Sequence, residues 1–180
     1  MDEIVLQGLA RWPNVPAVYG WLELDRRGEW HTRSGRITHR VMRGFIGRNY
    51  AHDDRGRWFF QNGPQRVFVT LRYTPLVYRV TATAGAAAQF ATHTGRTVGH
   101  IDGAWLDNEG SVLLQTEHGP GVVCDRDLPL LADELIDDGT NGVRWGNRLL
   151  KPGEIRTVDV PARFGFIPNP QPDDGEEHCQ

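Results

Sequence analysis

Three times in this chain an aspartate is followed three residues later by a glycine: Asp25-Arg26-Arg27-Gly28, Asp53-Asp54-Arg55-Gly56 and Asp107-Asn108-Glu109-Gly110. This D-x-x-G pattern constrains the fold more than any other feature. The aspartate carboxylate bonds the backbone of its own turn, and glycine accepts the positive φ at the turn exit. Each copy is flanked by strand-like sequence. Val18 to Leu24 precedes the first turn, and Glu29 to Thr32 returns from it. Arg57 to Asn62 follows the second. Ile101 to Leu106 and Ser111 to Thr116 flank the third.

Between the second and third turns lies the cleanest alternation in the chain. From Gln65 to Thr74, Val67, Val69, Leu71 and Tyr73 share one face, and Arg66, Phe68, Thr70 and Arg72 share the other. Asn62-Gly63-Pro64 turns the chain before this strand and Thr74-Pro75 breaks it, after which Leu76 to Thr83 resumes. The reading is a three-stranded meander.

Helical periodicity appears in three places. Residues 3–12 carry Ile4, Val5, Leu9 and Trp12, and Pro13 and Pro16 end that helix. A second helix is predicted from an N-cap at Thr38 to about Asn49, with Ile37, Val41, Met42, Phe45 and Ile46 on its apolar half. A third starts at Asp127, with Leu128, Leu131, Ala132, Leu135 and Ile136 on one stripe. Asn141-Gly142 predicts a hairpin beyond it.

The expected fold class is α+β, with two small lobes of antiparallel hairpins or meander, each packed by an amphipathic helix. Residues 1–92 form the N-terminal lobe, 93–160 the C-terminal lobe, and 161–180, rich in Pro and acids, a flexible tail. A weak internal repeat supports two related lobes. Asp53, Gly56, Gln61 and Gly63-Pro64 match Asp107, Gly110, Gln115 and Gly119-Pro120 if two residues are inserted in the second copy, and Val67 then matches Val123.

The pieces Gly28-Glu29-Trp30, Val41 to Phe45, Asp53 to Trp58 and Thr74-Pro75-Leu76-Val77 form a skeleton: G-x-W, an amphipathic helix ending near a Phe, D-x-x-G-x-W, then T-P-x-V. Over roughly Trp21 to Ile136 this skeleton resembles bacterial families of domains of unknown function. The resemblance implies a two-lobed α+β fold of repeated strand and helix pieces. It also implies a cleft between the lobes for a nucleotide-type ligand and a signalling role, and it carries no catalytic residues over to this chain.

Charge and chemistry narrow the function classes. With 180 residues and a net charge of −3, the chain is not built for nucleic-acid polymers. Its positive charge is almost all Arg, with Lys151 the single Lys. The seven His, among them His93 and His100 flanking a turn, form no tight ligand pair, so no metal is expected. There is no nucleophile elbow, and Cys124 lies in an apolar context that suits a core thiol. No phosphate-binding glycine motif occurs. Cys124 and Cys179, with no pairing pattern, point to a reducing compartment. The acidic start Met1-Asp2-Glu3, with no leader or membrane-spanning run behind it, points to the cytoplasm.

What remains is arginine beside aromatic and amide groups. Arg48, Asn49, Asn62, Gln65, Arg66, Phe68 and Arg72 are the candidate ligand-binding residues, because Arg forks take phosphate, rings stack bases and amides read base edges. The alternative for the same residues is a solvated sheet face laced with ion pairs to Glu29, Asp53 or Asp54, with Arg48 and Asn49 serving only the helix end. The functional expectation is a non-enzymatic module that binds a small anionic ligand between its lobes and needs no cofactor. An aromatic-basic sheet face docking a protein partner is the second reading, and a phosphate-ester hydrolase the third.

Overall fold

The computed structural model describes residues 1–12, 14–83, 88–132, 135–136, 142–145, 148–175 and 178–179. Asn141, which marks the expected hairpin, lies outside them. The chain divides into two compact units. The first comprises residues 1–25, 29–73 and 165–180, and the second residues 26–28 and 74–164.

The first unit begins with helix α1 (Glu3–Arg11). Six strands follow, with helix α2 (Arg40–Arg48) between the third and fourth: β1 (Ala17–Leu24), β2 (Trp30–Thr32), β3 (Gly35–Arg36), β4 (Tyr50–His52), β5 (Trp58–Asn62) and β6 (Gln65–Leu71). Their order across the sheet is β3-β2-β1-β6-β5-β4. All neighbours are antiparallel except β1 and β6, which run parallel with Leu22 opposite Val69 and Leu24 opposite Leu71. The expected alternation on β6 holds. Val67, Val69 and Leu71 are buried on one face together with Leu22, Leu24 and Ile46 in the core of this unit.

The N-cap of α2 is His39, whose Nδ1 accepts a bond from the Met42 amide, one residue after the Thr38 expected from the sequence. Its buried side is Ile46 and Gly47, while Val41 and Met42 are exposed. The predicted apolar half is therefore packed only toward the helix C-terminus.

In the second unit, β7 (Leu76–Thr83), β8 (Ala88–Thr92), β9 (Ile101–Asp107), β10 (Val112–Thr116) and β11 (Gly119–Val123) form one sheet with β15 (Gly153–Ile155), in the order β15-β9-β10-β11-β7-β8. The β11–β7 and β15–β9 pairs are parallel. Helix α3 (Leu128–Ala132) follows a short 3-10 turn (Asp125–Asp127). A small sheet of β12 (Leu135–Ile136), β13 (Gly142–Trp145) and β14 (Arg148–Leu150) comes next, and α4 (Val160–Phe164) ends the unit. The stripe predicted as one helix to Ile136 thus stops at Ala132, and Leu135 and Ile136 pair instead with Val143 and Gly142. Backbone pairing to a hairpin partner overrides helical spacing there.

The two main sheets share a plan. A β1–β2 pair antiparallel to each other, then β6, β5 and β4, matches β7–β8, then β11, β10 and β9, each with a central parallel contact. The α+β fold with two lobes built on antiparallel hairpins is as expected, and within each sheet parallel pairs join those hairpins. The meander is corrected: β7 does not pair with β6 but opens the second sheet. Pro75 has no N–H to continue a ladder. The Thr74 hydroxyl instead donates to the Leu76 carbonyl and accepts from the Val122 amide, which seats the new strand beside β11. For the same reason the boundary falls after Tyr73 rather than at residue 92.

Each D-x-x-G turn forms as expected. In all three the aspartate amide donates to the carbonyl four residues on, at Glu29, Arg57 and Ser111. The carboxylates of Asp53 and Asp107 accept two backbone amides each. The register also corrects the repeat. Phe59 faces Phe68 and Gln61 faces Arg66, as Leu113 faces Val122 and Gln115 faces Pro120. Gly63-Pro64 therefore corresponds to Glu117-His118, with no insertion, and the Gly119-Pro120 match is incidental.

The C-terminal segment expected to be a flexible tail is packed. Phe166 and Pro170 are buried. The Ile167 amide donates to the Gly56 carbonyl at 3.0 Å, and the Leu71 amide donates to the Pro168 carbonyl at 2.7 Å. A last strand, β16 (His178–Cys179), runs parallel to β1 opposite Ala17 and Val18. Acids and prolines do not exclude a segment from a fold when a neighbouring strand leaves backbone groups to pair with.

Candidate functional site

The face of the first sheet that carries Arg66 and Phe68 is not a plain solvated surface. Alternation on β5 brings Phe59 and Gln61 to it, and the two-residue turn at Gly63-Pro64 sets them opposite Phe68 and Arg66. Tyr19 from β1 stacks on Phe68 with ring centroids 4.6 Å apart, and Phe59 meets Phe68 edge-on at 5.9 Å. Ala17, Tyr19, Phe59 and Phe68 form a small core of their own. Phe68 is 2% exposed, so the exposed aromatic face expected there is a covered one.

Two guanidinium groups reach the same pair of rings. Arg66 lies 4.2 Å over Phe59, and Arg57 lies 4.6 Å over Phe68. Both line a cleft of about 390 Å³ floored by Phe68, Gln61 and Ala17 and walled by Leu9 of α1 and by Val15 and Pro16 in the α1–β1 connection. Arg57 is held by Asp53, whose Oδ2 accepts from its Nε at 2.7 Å. Burial by itself would raise the Asp53 carboxyl, but the bonds from the Arg57 side chain and backbone outweigh it and hold the group below its ordinary value. Among the described residues no carboxylate pairs with Arg66.

Two buried polar atoms in the cleft lining have no hydrogen-bond partner: the Arg57 Nη1 donor and the Gln61 Oε1 acceptor. Gln61 is 1% exposed, and its Nε2 is already committed to the Gly63 carbonyl. Groups of this kind cost free energy unless something satisfies them.

Of the residues singled out from the sequence, Arg66 and Phe68 meet in this cleft. Gln65 supports its wall by donating to the Pro16 carbonyl at 3.2 Å. Asn62 is exposed at the hairpin end opposite Gln65. Arg48 sits elsewhere, paired with Asp2 at 3.0 Å. Asn49 is buried and ties α2 to its surroundings. Its side chain donates to the Phe45 carbonyl and accepts from the Asp2 amide, and its carbonyl accepts from the Gln61 amide. Arg72 pairs with Glu23 at 2.6 Å in a separate hollow of about 340 Å³ beside Trp21, Arg33 and Thr70. Arg57 and Gln61 were missed. Their signal was present: a two-residue turn at Gly63-Pro64 puts Arg57, Phe59 and Gln61 on the Arg66 face by parity alone.

Among the described residues no cluster of His, Cys, Asp or Glu is arranged to hold a metal. Nor, among the described residues, is any helix long and apolar enough to cross a membrane. Cys124 is a free, buried thiol whose pKa burial pushes up.

The chain is similar to two solved structures. A DUF1285 family protein from Silicibacter pomeroyi DSS-3 superposes with a TM-score of 0.57 at 14% identity, covering 85% of this chain and 96% of that one. A second, from Shewanella baltica OS155, gives 0.48 at 18% identity over 67% of this chain and 93% of that one. No curated protein matches the chain. A family of sequences described as "Protein of unknown function (DUF2946)" matches residues 1–171, and the chain belongs to that family, DUF2944.

Proposed function

We propose that this protein binds a small anionic ligand of nucleotide type in the cleft of its first unit and acts in a signalling or regulatory capacity rather than as an enzyme. The observation that carries the reading is the pair of guanidinium groups over Phe59 and Phe68. The second copy of the same hairpin has Ser111 and Pro120 at those positions, so the turn and the strands form without the cations. A guanidinium plane stacked on a ring, as Arg66 is on Phe59, can still use its N–H edges for bidentate bonds to phosphate or carboxylate. The cleft has the size of a small-molecule site. The described residues lining it offer donors, an amide oxygen and a ring but no nucleophile or general base, which favours binding over turnover. A reducing, cytoplasmic setting suits the free Cys124 thiol.

The test is thermal stability at low salt with phosphate, pyrophosphate and AMP. A ligand at a hundredfold excess over its Kd stabilises the fold by about 2.7 kcal/mol. A melting shift that weakens with salt and disappears in Arg66→Ala supports the reading. No shift with any of the three compounds overturns it.

A second reading rests on α2, where Val41 is 71% and Met42 47% exposed on the side expected to be buried. On this reading the protein-docking surface is the helix rather than the sheet face. It is preferred if Val41→Ser and Met42→Ser abolish self-association or partner capture while the cleft binds no anion.

A further inference from the structure

The residues after Phe166 hold one of the two cleft cations from outside the cleft. The Asn169 and Thr70 side chains meet at 3.3 Å, next to the Leu71 amide bonded to Pro168. Pro170 is buried. Asp173 then pairs with Arg55, and its Oδ2 stands 3.6 Å from Arg57 Nη1. Five residues further on, β16 joins the β1 edge at Ala17, a residue of the cleft lining. The segment therefore starts beside the end of β6, passes the Arg57 end of the cleft and finishes on β1.

The Asp173 contact is incomplete. At 3.6 Å it is an ion pair without a hydrogen bond, and Arg57 Nη1 remains unpartnered. The carboxylate is half exposed. Such a contact attracts the guanidinium without satisfying it, and a better-placed anion displaces it at little cost.

We propose that residues 169–173 form an autoinhibitory strap in which Asp173 acts as a resident anion at the Arg57 end of the cleft, competing with the ligand. This inference rests on the cleft being an anion site. The strap lowers affinity for weak or singly charged anions. A ligand that reaches both Arg66 and Arg57 releases Asp173 from Arg57 and loosens the segment. The chain carries its own competitor, so occupancy of the cleft is reported as movement of the C-terminus.

Asp173→Asn keeps the side-chain shape and removes the charge. Arg55→Gln removes the second anchor of Asp173 without touching the cleft lining. With AMP or pyrophosphate as the probe, isothermal titration should give Kd values about threefold to fivefold lower for Asp173→Asn than for the full-length wild type, the scale expected for an exposed ion pair. Arg55→Gln should change in the same direction by less. In the wild type, saturating probe should speed hydrogen exchange at the Leu71 amide, which bonds Pro168 immediately before the strap. If the wild type binds the probe with the same Kd as Asp173→Asn, and Leu71 stays equally protected, the strap is refuted and the cleft reading stands. If neither protein binds any of the anions, the cleft reading fails and the strap with it. A folding defect in Asp173→Asn leaves the exchange measurement on the wild type to decide.

Discussion

Phe59 and Phe68 of the first hairpin stand where Leu113 and Val122 stand in the second, and Arg57 and Arg66 stand where Ser111 and Pro120 stand. The turns are nearly superimposable in their bonding: Asp53 and Asp107 each accept two backbone amides, and Gly56 and Gly110 have φ of 76° and 82°. The glutamines at 61 and 115 also correspond, and each bonds a carbonyl at its hairpin end through Nε2. What the copies share is what a hairpin of this shape needs. What they do not share is large rings and cations in the first copy and smaller uncharged residues in the second. The difference separates the residues that make the turn from those it merely carries, and it puts Arg66 in the second group.

The largest test of this contrast is at the C-terminus, where the segment after Gly165 braces the first hairpin through Gly56 and Leu71. Truncation after Gly165 removes buried Phe166 and the backbone bonds to Gly56 and Leu71. It should lower stability by at least about 4 kcal/mol, on the scale of deleting a buried Phe. Urea unfolding measures it, and an unchanged midpoint would show that the segment is dispensable.

Next in size is the pair of turn glycines. A Cβ at Gly56 would run into the Gly165 carbonyl oxygen, whereas one at Gly110 meets nothing within 4 Å. Gly110→Ala should cost about 1–2 kcal/mol for the left-handed backbone alone. Gly56→Ala should cost about 3 kcal/mol or more, because the neighbouring segment must also shift. Equal costs would mean that the C-terminal contact yields freely.

Asp53→Asn should follow at about 1–2 kcal/mol near neutral pH. It keeps an acceptor for the turn amides but loses the charged partner of Arg57. The Asp53 carboxyl is held below its ordinary value of 3.8, so its contribution is fully present above that pH and fades below it. Chemical denaturation of both proteins from pH 7 down to pH 2.5 should show the gap between them closing below about pH 4. A gap independent of pH would assign the loss to turn geometry instead.

The smallest effect on the free protein belongs to Arg66→Ala. Loss of the ring contact should cost less than about 1 kcal/mol. The same substitution should abolish the anion-induced melting shift, and that split between stability and binding is the signature of a residue the fold does not require. A loss of several kcal/mol would return Arg66 to the structural set.

Local sequence was enough for several parts of this protein. The three Asp-Gly turns, α1, the body of α2 and the alternation of β6 all follow from φ preferences and from side-chain spacing within a few residues. Arg66 and Phe68 were placed on one face by the same parity. Arg48 was not separable from them, because its partner Asp2 lies 46 residues away and no local pattern announces an ion pair.

Pairing across long separations was decided only in three dimensions. Thr74-Pro75 reads as a turn in sequence, yet the Val122 amide that seats β7 lies 48 residues beyond Thr74. The acidic, proline-containing C-terminus reads as solvated, yet unpaired backbone groups at Gly56, Leu71 and the β1 edge recruit it. Periodicity states which residues share a face. Which strand lies beside that face is set by backbone groups that must find partners anywhere in the chain, and only the tertiary structure supplies them.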